Sequence, residues 1–241
     1  MLVFAESAAL PAARSGLASG GEAASAMMLE RTVSLARRSR SGDVHLFLRG
    51  SSKTTEASQC ADGLFLHSQR GSCFAERLEN AIASVRSLGY DRAVIIGTDT
   101  PALRSSHVRA AVAGLSAAPL SLGQDRHGGC WIIGLRLGDS ELRSGGTWER
   151  NVDFDQLLQR CPQAVVLRQR MVDLDSMADV LASLASGTSR VRAMFAAWML
   201  TALGGKHLEL LGGRRAVDQE RCRRQRVWDR QSWQLPPPLA A

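Results

Sequence analysis

The sequence predicts an α/β fold with a mostly parallel sheet and helices on both of its faces. Three observations carry this. Residues 93–97 read A-V-I-I-G, an apolar run without alternation, as expected of a strand buried on both sides. Residues 72–88 place Phe74, Leu78, Ala81, Ile82, Val85 and Leu88 at three- and four-residue spacing, the mark of an amphipathic helix. Strand-like and helix-like stretches then alternate along the first three quarters of the chain, which is the rhythm of βαβ units.

In order, residues 1–5 read as a short strand and 6–20, rich in Ala, Ser and Gly, as a loop. A helix is expected over 21–39, with Met27, Met28, Leu29, Val33 and Leu35 on its apolar side, ending at 39–42. Residues 44–48 form the second strand, 50–62 a polar loop, and 64–67 a short strand. After the 72–88 helix and the 93–97 strand come a helix at 103–116, a short strand near 119–122 and a strong strand at 130–135. A loop over 137–150 leads to a helix near 152–160, a strand at 165–167, and a last helix over 174–185 started by Asp175 or Ser176 as its cap.

With 241 residues, 45% of them apolar, the chain can bury a full core, and one domain with an appendage is the natural division. The main domain is expected over 1–186 and a helical, basic C-terminal extension over 187–241, its end tending to disorder. Residues 189–241 hold ten Lys/Arg against four Asp/Glu, a net +6 of the chain's +7, so the basic character belongs to the tail. The longest apolar run, 193–203, is well short of the roughly 20 residues a membrane span needs. The opening M-L-V-F reads as a strand with no basic leader. The five cysteines are odd in number and scattered without metal spacing. These features make a cytoplasmic protein the expectation.

Asp99 follows the 93–97 strand directly and precedes Pro101. Just past the carboxyl end of a central strand is where open α/β sheets bind ligands, and a carboxylate there can hold a divalent cation against a phosphate. The other reading is a cap on a helix starting near Pro101. Three further segments bear on the choice. They are Q-R-G-S-C-F-A-E-R-L-E-N-A at 69–81, G-Q-D-R-H-G-G-C-W-I-I-G-L at 123–135, and D-L-D-S-M-A-D at 173–179.

Together with I-I-G-T-D-T-P at 95–101, these segments make the chain resemble a bacterial family of glycosyltransferase-like proteins of largely unknown function. That family is related to 2-phospho-lactate guanylyltransferase and to the molybdenum-cofactor guanylyltransferases. Its pattern runs Q-x-G-x-x-L-G-x-R, I-G-T-D-S/T-P, G-P-x-x-D-G-G-Y-x-x-x-G-L, a tryptophan segment, and D-x-D-T-x-x-D-L. The match in order and spacing covers about residues 1–185.

The resemblance implies a Rossmann-like GT-A fold, the three-layer sandwich of nucleotide-diphospho-sugar transferases. It implies Mg²⁺ or Mn²⁺ as cofactor, a nucleotide or nucleotide sugar and a small-molecule acceptor as partners, and Asp99 as the metal-holding residue. Gly97 and Thr98 beside it, and the Gly128-Gly129 turn, would line the nucleotide, the turn letting backbone approach closely. Arg77 matches the arginine of the first motif, with phosphate contact or an ion pair to Glu76 or another acid as its two readings. Asp175 reads as a helix cap, with Asp173 or Asp175 touching the metal as the other reading, and Trp148 reads as pocket lining or loop anchor. Trp131 reads as core.

Two departures stand out. The family's basic phosphate loop after the first strand is eroded here: Arg14 and Ser15 stand where Lys and Thr are expected, Gly16 replaces an arginine, and Glu6 another. His127 replaces the aspartate of D-G-G, as a neutral ligand or as a plain loop histidine, with Asp125 two residues earlier as a compensating carboxylate.

The expected function is therefore a metal-dependent transferase using a nucleotide-activated donor, with Asp99 and His127 at the reacting centre. A nucleotidyltransferase acting on a small phosphorylated acceptor is the first alternative, and a catalytically degenerate paralogue that binds or scaffolds is the second. The Arg-rich tail with Trp228 and Trp233 carries no recognised nucleic-acid motif, so nucleic acid is not the expected partner. The apolar face of 190–203 suits packing on the main domain or a homodimer contact.

Overall fold

The computed structural model describes residues 1–5, 21–49, 58–60, 63–138 and 153–174, together with Ser183 and Arg192. The elements are β1 (Leu2–Ala5), α1 (Gly21–Ser39), β2 (Val44–Leu48), β3 (Ser58–Cys60), β4 (Leu64–Ser68), α2 (Phe74–Ser87), β5 (Arg92–Ile96), α3 (Ser105–Ala117), β6 (Leu120–Asp125), β7 (Cys130–Arg136), α4 (Asp153–Arg160) and β8 (Val165–Met171). Among the described residues the strands form one eight-stranded sheet in the order β3-β4-β2-β1-β5-β7-β6-β8. The pairs β1–β2, β1–β5, β2–β4 and β6–β8 are parallel, whereas β3 and β7 run against their neighbours.

The three-layer sandwich follows from side-chain alternation. In β1, Leu2 and Phe4 join one core with Phe47, Ala93, Ile95 and the apolar sides of α2 and α4. Val3 and Ala5 join the other, with Leu46, Val94, Ile96 and the apolar sides of α1 and α3. Both faces of the central strands are thus dry, which is why their sequences read as unbroken apolar runs. The second helical layer is tied by polar bonds as well. Arg31 donates to the Leu103 carbonyl at 2.6 Å, and the Ser105 hydroxyl to that of Leu35 at 3.2 Å. Among the described residues no helix is long and apolar enough to cross a membrane.

The reversal of β7 matters for the site. Because β7 is antiparallel to both β5 and β6, the β6–β7 turn lies at the same edge as the carboxyl ends of β1, β2, β4 and β5. The sheet departs from the sequence expectation at its margins. β3, three residues within the stretch expected as loop, exists only through its register with β4, Ser58 opposite Leu66 and Cys60 opposite Leu64. β6 continues to Asp125 and the edge strand β8 to Met171, since ladder pairing carries them through polar residues that periodicity does not count. The third helix begins at Ser105 rather than near Pro101. Its start is set by the Arg104 N–H, which donates to His107 Nδ1 at 3.1 Å. The helix expected over 174–185, the tail from 187 and the 6–20 stretch lie outside the described residues, apart from Leu174, which is not helical, Ser183 and Arg192.

The α2 face of β2 and β4 carries a checkerboard of rings. His45 stacks on Phe65, its register partner, at 4.7 Å and 9°, and His67 stacks on Phe47 at 4.3 Å and 7°. The two imidazoles hydrogen-bond diagonally, His45 Nδ1 to His67 Nε2, at 2.9 Å. Both are buried, and His45 Nε2 has no partner. Burial first, then the positive amino terminus and His67, push His45 down to about 4 against a weaker opposing pull from Asp43. His67 is lowered by burial alone. The folded state therefore refuses a proton that the unfolded chain takes up below about 6.5, so this pair costs stability as pH falls from 6.5 towards 4. The excess melting temperature of wild type over His45→Phe is expected to shrink across that interval. Thermal denaturation at stepped pH checks it, and a constant difference contradicts it.

Candidate functional site

The candidate site is built on the carboxyl edge of the sheet. Gln69, the first residue after β4, ties that edge together. Its side-chain amide donates to the Ala5 carbonyl at 2.7 Å and the Phe47 carbonyl at 3.1 Å, and its backbone N–H to Leu48 at 2.9 Å. The ends of β1 and β2 are thereby tied to the residue that leaves β4. Gly71 follows with φ +138°, and a Cβ there would meet Arg77 N and Glu76 Cβ, each at 2.7 Å. Only glycine lets the loop press this closely on the first turn of α2.

At the end of β5, Asp99 is exposed and lies over Gly97: a Cβ on Gly97 would stand 2.5 Å from Asp99 Oδ1. The helix-cap reading of Asp99 fails, since α3 starts six residues later under Arg104 and His107. The segment leaving β8 stitches this loop to the next one. Leu174 N–H donates to the Asp99 carbonyl at 3.1 Å, the buried Thr100 hydroxyl donates to Asp173, and Arg126 N–H donates to the Met171 carbonyl at 3.1 Å. Asp173 is thus a loop-fastening carboxylate. Asp175 lies outside the described residues.

The β6–β7 turn is wound around Asp125. One of its oxygens, Oδ1, accepts from His127 N–H at 2.7 Å and Gly129 N–H at 2.9 Å. Asp125 N–H returns a bond to the Gly129 carbonyl at 3.1 Å, and Gly128 takes φ +97° between them. Asp125 is 5% exposed, so the carboxylate expected to compensate for His127 serves first to close its own turn. His127 itself is exposed. Trp131 is core: it is 1% exposed, covers Gly123, and its indole donates to the Gln169 carbonyl at 3.2 Å.

One acidic residue went unassigned in the sequence. Asp153 opens α4, whose Phe154 N–H donates to the Gly128 carbonyl at 3.3 Å, so the helix start is seated on the turn. Half-buried and facing Asp125, Asp153 is pushed up to about 6, by burial first and then by that negative neighbour. Burial and the carboxylates of Asp153, Asp125, Asp173 and Asp155 also hold the Cys130 thiol protonated well above its usual range, which makes it unreactive. The signal for Asp153 was the D-F-D at the helix start, read simply as part of that helix.

Arg77 is a second departure. It is 7% exposed, its Nε is buried without a partner, and among the described residues it forms no ion pair. Glu76, the expected partner, accepts instead from the backbone and hydroxyl of Ser72 at 2.7 and 2.6 Å. These bonds hold the Glu76 carboxyl below its ordinary range.

The fold therefore gathers Gly97, Thr98, Asp99, His127, Gly128, Gly129 and Arg77 at one edge, while Arg14 and Ser15 lie outside the described residues. A metal has no ready-made cage: among the described residues no group of three or more His, Cys, Asp or Glu converges to hold one. The donor set fits the mode in which one carboxylate, here Asp99, shares a cation with substrate phosphates and waters.

The fold is similar to that of a candidate nucleotide-diphospho-sugar transferase from Desulfovibrio desulfuricans G20. The TM-score is 0.63 and the identity 19%, over 84% of this chain and 96% of that one. It is also similar to Rv0371c from Mycobacterium tuberculosis H37Rv, with a TM-score of 0.53 and 19% identity over 77% of this chain and 98% of that one. No protein of curated function matches in sequence. The bacterial family DUF2064, described as an uncharacterized protein conserved in bacteria, matches residues 32–152, half of the chain, and the chain belongs to it.

Proposed function

We propose that this protein is a transferase that takes a nucleotide-activated donor at the carboxyl edge of its sheet, with a divalent cation, Mg²⁺ or Mn²⁺, held between Asp99 and the donor phosphates. The observation that carries the reading is the packing of Asp99 over Gly97 at the end of β5, beside a turn wound by Asp125, in a loop that caps no helix. Asp99 thus stands exposed just past the carboxyl end of a central strand, the ligand-binding end of an α/β sheet. The description of the Desulfovibrio neighbour as a candidate nucleotide-diphospho-sugar transferase supports the same class.

In this reading Thr98 and the Gly97 backbone line the phosphates, and the Gly128-Gly129 turn brings backbone close to the donor. His127 stands where donor and acceptor meet. Arg14 and Ser15 are assigned to the phosphates on the resemblance in sequence. When bound, the cation supplies charge neutralisation at the phosphates. The chain's own contribution is orientation: Gln69 ties the ends of β1 and β2 to the exit of β4, and the 171–174 segment fixes the two loops that flank the donor. The acceptor is a small molecule, and glycosyl and nucleotidyl transfer share this arrangement. A second reading, a paralogue that binds without turnover, is favoured by His127, which stands where the resembled family has the aspartate of D-G-G, while the nearby Asp125 spends its Oδ1 on its own turn.

Calorimetric titration with nucleoside triphosphates and nucleotide sugars in the presence of Mn²⁺ is expected to find binding that weakens about tenfold or more in Asp99→Asn, the loss of one charged contact. Equal affinity in the variant, or no binding to wild type, contradicts the proposal. Gly97 does not adopt a left-handed φ, so Gly97→Ala displaces only the Asp99 carboxylate. Urea unfolding of that variant is expected to change by less than about 1 kcal/mol while Mn²⁺-dependent nucleotide binding weakens. A large stability loss with intact binding contradicts it.

A further inference from the structure

Arg77 is the chain's anomaly. Arg77 is 7% exposed, and an arginine so covered normally has a carboxylate or carbonyls around its head, because an unpaired buried polar group is costly. Among the described residues Arg77 has neither, and its Nε is orphaned. The acid beside it in sequence is turned to Ser72 at 2.7 and 2.6 Å. Arg77 is the fourth residue of α2 and lies on the helix's buried side with Leu78, Ala81 and Val85. Side chains on a helix lean towards its N-terminus. The N-terminus of α2 follows Gln69 and Gly71 at the carboxyl edge, so Arg77 leans from beneath the helix towards that edge. The first turn of the helix adds its positive end in the same place.

We propose that Arg77 is a preformed phosphate subsite: a cation kept without a protein partner so that a phosphate group of the substrate completes it. The fork of a guanidinium suits two oxygens of one phosphate. The proposal rests on the reading of the carboxyl edge as the donor site, and it adds which side chain receives a phosphate independently of any metal. It also explains Gly71: with a Cβ blocked at 2.7 Å from Arg77 N, the loop is drawn down over the turn that presents the arginine.

The test uses the full chain with inorganic pyrophosphate as probe and a chelator present, followed by thermal melting and calorimetry. Pyrophosphate is expected to raise the melting temperature of wild type. Arg77→Met is expected to melt at or above wild type without the anion, since a buried Nε–H without a partner is gone, and to lose the shift. Its affinity should fall about ten- to a hundred-fold. Arg77→Lys, which keeps the charge but not the fork, is expected to bind several-fold more weakly at little cost in stability, and it decides the matter if the Met variant does not fold. An arginine that only packs would give a lower melting temperature in Arg77→Met with the pyrophosphate shift intact. That result, unchanged affinity in Arg77→Lys, or no response of wild type overturns the proposal. If nucleotides bind with Mn²⁺ while pyrophosphate binding ignores Arg77, this proposal falls and the transferase reading stands. If Arg77-dependent pyrophosphate binding persists without any nucleotide binding, the transferase reading falls and the subsite stands.

Discussion

The central strands are dry on both faces, and the rest of the molecule depends on that. Leu2, Phe4 and Ile95 point into one core and Val3, Ala5 and Ile96 into the other, so these strands bury their side chains on both sides of the sheet. Polar chemistry is then confined to the strand ends. The parallel pairing of β1, β2, β4 and β5 brings their carboxyl ends to one edge, and the reversed β7 adds the β6–β7 turn to the same edge. A site here is a consequence of burial and strand direction before any particular residue is considered.

At that edge most polar side chains serve the backbone. Gln69 satisfies the ends of β1 and β2, Asp125 closes its turn, Asp173 takes the Thr100 hydroxyl, and Glu76 takes Ser72. Loops wired in this way hold their shape without a ligand, which lowers the ordering cost of binding. Arg77 differs because its Nε is buried without a partner inside the described fold. Strain of that kind tends to accompany function, and proteins tolerate it where the remaining core provides the margin.

The fold was legible in the sequence because the central strands and amphipathic helices announce themselves by period. The expected 44–48 strand coincides with β2, the 21–39 helix with α1, and the 93–97 strand with β5 to within a residue. What periodicity missed was polar. β3 and the outer part of β8 are strands only because a neighbour offers them a ladder. The site was legible in outline, since Gly97, Asp99 and Gly128-Gly129 stand at one edge. Its wiring was not. Nothing in the local sequence says that Asp125 spends an oxygen on two backbone N–H groups, that Glu76 turns from Arg77 to Ser72, or that Asp153 is lifted to about 6 by burial beside Asp125. Those depend on which loops the tertiary fold brings together.

The central claim is that the carboxyl edge is where a metal-held nucleotide binds. Its most direct test is paramagnetic broadening of backbone amide resonances by Mn²⁺ in the presence of a nucleotide. The account predicts broadening at Gly97, Asp99, Gly128 and Gly129, with Gly42, Gly63 and Gly89 at the opposite edge remaining sharp. Broadening centred on those three glycines, or none anywhere, would contradict it.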